Sequence, residues 1–103
     1  MISKIKLPDR DREHERVLGR IFDISPSQAA VLSCLSRCSI VTAKELKDYT
    51  GVKAPIKIAV SRTRSKLEAH GLFIENKPNV GYWISEEDRN CVDFRVKEFM
   101  GEA

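Results

Sequence analysis

The stretch Ile56-Lys57-Ile58-Ala59-Val60-Ser61-Arg62-Thr63-Arg64-Ser65-Lys66-Leu67-Glu68 decides how this chain is read. Ile56, Val60, Thr63 and Leu67 recur at spacings of 4, 3 and 4, the period of one buried helix face. Lys57, Ile58, Ser61, Arg62 and Ser65 lie roughly opposite that stripe. Pro55 suits the first turn of a helix and Gly71 its end, so the spacing predicts a helix over 54–70. Its outer face is basic, with an isoleucine and two serines among the cations, and Lys53 lies just ahead of it. A solvated helix face would account for the charge alone. The neighbouring elements point further.

Upstream, Ser25-Pro26-Ser27-Gln28 carries a capping box with proline at the first helical position, followed by Ala29, Val31 or Leu32, and Leu35 as an apolar stripe. Thr42 and Glu45 open a second short helix, which runs through Leu46 and Tyr49 and stops at Gly51. Downstream, Leu72–Asn76 and Val80–Ile84 flank Lys77-Pro78-Asn79, the pattern of a hairpin. Tyr82 and Trp83 alternate across it, one for the core and one partly exposed. Ser85-Glu86-Glu87-Asp88 then caps a last helix with the stripe Val92, Val96, Phe99 and Met100. Helix, helix, long basic helix and hairpin, in that order, predict a winged helix-turn-helix. The expected class is mainly α with a small β-hairpin (α+β), a three-helix core plus wing and an extra C-terminal helix. Residues 1–20 read as a charged arm or short helix and 21–85 as the winged-helix DNA-binding domain. Residues 86–103 read as a helix that closes the core or pairs two subunits.

Composition narrows the function. At 103 residues the chain holds one domain, and no run of 18 apolar residues offers a membrane span. The first residues lack the apolar stretch of a secretion signal, and three cysteines make no disulfide framework, so a cytoplasmic protein is expected. The net charge of +3 is uneven: residues 53–78 hold six bases against two acids, whereas residues 79–103 hold three bases against six acids. A basic middle points to a polyanionic partner. Cys34 and Cys38 stand four apart, with His14, His70 and Cys91 elsewhere. No Cys-x-x-Cys pair occurs, so neither a metal nor a cofactor is expected. No nucleophile elbow, phosphate loop or metalloprotease pattern is present, and the chain does not read as an enzyme.

Residues 56–68 resemble the recognition helix of OmpR/PhoB-type winged-helix effector domains, whose pattern alternates aliphatic residues and then reads Arg-x-Arg-x-Lys-Leu, as Arg62–Leu67 does. Gly81-Tyr82 is similar to that family's wing, and Ser25–Leu32 to the opening of its first helix, so the resemblance covers about residues 22–85. It implies sequence-specific binding of double-stranded DNA by a bacterial or phage transcription regulator associated with the nucleoid. By that resemblance Lys57, Ile58, Ser61 and Arg62 face the major groove and Arg64 contacts phosphate. Ile58 would touch a thymine methyl, and Arg62 would reach guanine O6 and N7. Lys53 and Ser65, with Lys77 and Asn79 at the hairpin tip, complete the expected DNA-binding set. Three features depart from the family. A 103-residue chain has no room for the receiver domain, residues 1–24 show no N-terminal sheet, and Pro78 stands where the wing normally carries arginine. A homodimer is the expected assembly, and RNA polymerase is a candidate protein partner. The alternatives are a winged-helix adaptor between proteins and a DNA-packaging protein without sequence preference.

Overall fold

The computed structural model describes residues 7–101. Five helices and a two-stranded antiparallel sheet make a mainly helical α+β fold: α1 (Arg12–Phe22), α2 (Pro26–Arg37), α3 (Ala43–Thr50), α4 (Ile56–Glu68), β1 (Glu75–Lys77), β2 (Gly81–Trp83) and α5 (Glu86–Phe99). Among the described residues no helix is long and apolar enough to cross a membrane.

Helix α2 forms because both signals that open it are satisfied. The Ser25 hydroxyl accepts from the Gln28 amide, and the Gln28 side chain accepts from the Ser25 amide. Its residues from Ala29 to Ser36 are all buried, as suits a helix surrounded on every side, and α1, α3, α4 and α5 all pack against it. Thr42 and Glu45 form the same reciprocal cap on α3, which ends where Gly51 takes a left-handed φ of 66°.

Of the segment read as a charged arm or short helix, residues 1–6 lie outside the described residues and residues 12–20 are helical, as part of an α1 that continues to Phe22. Asp11 caps it by accepting from the His14 amide, and Val17, Leu18 and Phe22 are buried against α2 and α5. Helix α1 is part of the core. Its buried carboxylate, Glu15, is held by a bidentate pair with Arg10 at 2.7 Å on both oxygens. Arg10 Nη1 also donates to the Tyr49 and Thr50 carbonyls, and so satisfies the C-terminal end of α3.

Helix α4 buries Ile56, Val60, Thr63 and Leu67, the stripe expected from their spacing. It is shorter than the predicted 54–70. Pro55 is its extended N-cap, with ψ 134°, and the residue before a proline is disfavoured in helical backbone. After Glu68 the chain turns through Gly71, at φ 76°. The strands are also shorter than the apolar runs that announce them. Leu72 and Ile74 are buried as core residues outside the ladder, and only Glu75–Lys77 and Gly81–Trp83 pair.

A third extended piece, invisible in the sequence, lies on the other side of β2. Val41 and Tyr82 exchange both backbone hydrogen bonds, at 2.9 and 2.7 Å. The neighbouring Gly81 has φ 147°, and a Cβ there would collide with the Val41 carbonyl. Glycine at 81 is what lets the hairpin approach the α2–α3 link. Helix α5 closes the core as far as Val96. Val92 is buried and Val96 is packed against the core, but Phe99 and Met100 of the expected stripe stand about half exposed.

Candidate nucleic-acid interface

The buried stripe of α4 fixes which residues face outward. Lys57, Ile58, Ser61, Arg62 and Ser65 are all exposed, as is Lys53 in the turn before the helix. Ile58, 43% exposed, borders a furrow that also takes in Lys53 and Arg62. The Ser65 hydroxyl donates back to the Ser61 carbonyl at 3.2 Å.

Two furrows flank this ridge. One, of about 480 Å³, lies between the start of α3, Lys57 and the hairpin, and takes in Lys44, Lys77 and Asn79. The other, of about 310 Å³, lies between the N-terminus of α2 and the start of α4, and takes in Ser27, Gln28, Lys53 and Arg62. Among the described residues no carboxylate lines either furrow. The ridge and its two margins thus form one surface of cations, hydroxyls and amides, suited to a polyanion.

At the hairpin tip the Val80 amide donates to the Lys77 carbonyl at 3.0 Å, with Pro78 second in the turn and Asn79 at φ 64°. That sequence of residues is the arrangement of a type II turn, in which asparagine tolerates the positive φ of the third place. It leaves Lys77 and Asn79 exposed beside α4. Tyr82 is buried and Trp83 half-buried, as alternation across the hairpin requires.

Arg64, expected to contact phosphate, is engaged within the protein. Its Nε and Nη2 donate to the Ile74 carbonyl at 3.1 and 3.0 Å, and Nη2 reaches Asn76 Oδ1 at 3.4 Å. The side chain ties α4 to the first strand of the hairpin. The reason is geometric: Ile74 turns its side chain into the core, and its carbonyl has no ladder partner. Lys44, by contrast, is a furrow residue that the sequence reading missed. Its signal was available, because a cation in the first turn of α3 opposes the helix dipole and so has no stabilising reason to be there.

The other titratable groups lie away from this surface. His14 shares a 2.8 Å hydrogen bond with the Ser33 hydroxyl, and burial together with Arg37 holds its pKa below the ordinary value. Cys34 is buried and Cys38 half-buried, and burial raises both thiols above their usual range. Cys91 is exposed on α5. His70 sets its ring edge-on to Phe22 at 5.0 Å. Among the described residues no three His, Cys, Asp or Glu side chains gather to hold a metal. Compared with known proteins, the chain matches no family model, no curated protein and no solved structure.

Proposed function

We propose that the chain is a winged helix-turn-helix protein that binds double-stranded DNA as a transcription regulator. In this reading the outer face of α4 enters the major groove and the hairpin tip lies on the phosphate backbone. The observation that carries it is the ridge of Lys57, Ile58, Ser61 and Arg62, bordered on both sides by furrows without a carboxylate. An α-helix fits the major groove, cations along its margins neutralise phosphates, and side chains at its crest read base edges. Arg62 supplies a fork for guanine, and Ile58 an apolar contact for a thymine methyl. Lys44 and Lys77 stand on one margin and Lys53 on the other, where the two backbones of a duplex would pass. The Val41–Tyr82 pair and the Arg64 clamp support the reading, because they hold the hairpin beside α4 in one position.

Selection from a random duplex pool tests the proposal. An enriched motif is the expected result. Duplex retained without enrichment would replace specific regulation with packaging, and no retention at all would overturn DNA binding.

A further inference from the structure

The outer face of α1 carries Arg12, Arg16 and Arg20 at intervals of four, a row about 12 Å long. All three are exposed, and they line one side of a groove of about 300 Å³ between α1 and the start of α2. Gly19, Ile24 and Pro26 give the same groove an apolar floor. Among the described residues Glu15 is the only carboxylate that lines it, and both of its oxygens are held at 2.7 Å by Arg10. The groove therefore presents three cations and an apolar surface, with its one anion already neutralised.

Stability does not account for this arrangement. Arg12 is the first residue of α1, where a cation opposes the helix dipole; Arg20, in the last turn, is the one that the dipole favours. Arg16 meets Glu13 in a solvent-exposed pair of the kind that contributes little, and among the described residues neither Arg12 nor Arg20 has an ion-pair partner. Gly19 stands inside the helix, where alanine is favoured by about 1 kcal/mol. A Cβ there would meet the Ile24 carbonyl at 3.4 Å and the Ala29 Cβ at 4.0 Å, both ordinary contacts. Packing thus does not demand glycine at 19, and what the missing side chain leaves is room in the groove.

We infer that this groove docks an acidic, amphipathic helical segment of a partner protein. Carboxylates placed every four residues on such a helix repeat at about 6 Å, the spacing of the three arginines, and an apolar side chain between them covers the floor at Gly19 and Ile24. Arginine forks suit carboxylates in paired hydrogen bonds. A nucleic-acid backbone would match the cations but bring no apolar group to the floor. The groove shares no residue with the α4 ridge or its two furrows, and the inference does not depend on DNA binding.

Selection of a displayed library of random short peptides on the full chain, followed by titration of an enriched peptide into isotope-labelled protein, tests it. The enriched peptides are expected to carry several carboxylates around a large apolar side chain, and to shift the amide resonances of Gly19, Arg20 and Ile24. Arg12→Ala, Arg16→Ala and Arg20→Ala combined should weaken the peptide at least about tenfold with the circular dichroism unchanged. Exchanging the peptide's apolar side chain for serine should weaken it comparably at the same charge. Gly19→Ala should lower affinity while leaving the melting temperature equal or higher. No enrichment, enriched peptides without carboxylates, or shifts centred on α4 would each overturn the inference. So would an arginine variant that binds the peptide like the parent, or a serine peptide that binds as well as the apolar one. If the arginine variant instead lost duplex DNA as strongly as peptide, the row would belong to phosphates and the inference would fall.

Discussion

Arg62 is exposed on the crest of α4, without a protein partner among its described neighbours, while Thr63 beside it is fully buried with its hydroxyl on the Ala59 carbonyl. Removing the first should therefore touch binding and spare the fold. Arg62→Ala is expected to lose about 1–3 kcal/mol on the selected duplex and to relax preference at one base pair. Fluorescence anisotropy on the selected site and its single-base variants measures both, and an unchanged preference would mean that Arg62 reads no base. A second residue acts on stability instead. Burial and the nearby Arg37 disfavour the imidazolium of His14 in the folded state, whereas the unfolded chain holds it at the ordinary 6.5. The unfolded state then binds the proton more readily, so this contribution is complete above that value and is lost as the pH falls below it. Urea midpoints near pH 7.5 and near pH 5 should show the decline in the parent chain, and a smaller one in His14→Gln.

Between elements, the contacts that matter are those that tie one to the next. Arg64 connects α4 to Ile74, just ahead of β1, through two charge-assisted bonds to a single carbonyl, so Arg64→Ala should lower stability by about 1–3 kcal/mol in urea unfolding. A variant as stable as the parent would mean that the clamp holds nothing. What the sequence made legible at this scale was local. The two capping boxes, the glycine end of α3 and the buried stripe of α4 are each determined by residues within a few positions of one another. What it hid was long-range. The second neighbour of β2 is Val41, about forty residues earlier. The burial of Glu15 in α1 is matched by Arg10, which lies ahead of the helix. Of the candidate interface, the exposed face of α4 followed from periodicity alone. The Arg64 clamp and the Lys44 margin required knowing where the hairpin and α3 come to rest.

Among the described residues, α2 is the hub on which every other helix leans, and the sheet bonds by its backbone to the link that follows that hub. The attachment is the Val41–Tyr82 pair, which joins the hairpin to the link between α2 and α3, one residue ahead of the cap on Thr42. Gly81 permits that closeness, so the hairpin is fastened to the body at its second strand and left open at its tip. This has a consequence for how the molecule breathes. The Val41 and Tyr82 amides donate to each other's carbonyls, so neither can meet solvent unless the hairpin lifts away as a unit. In hydrogen–deuterium exchange the two amides should share one opening free energy, although they lie in different parts of the chain. The Val80 amide, bonded only within its own turn, should exchange faster than either. Matched rates at 41 and 82 would make the hairpin and the start of α3 a single cooperative unit, one that opens and closes together.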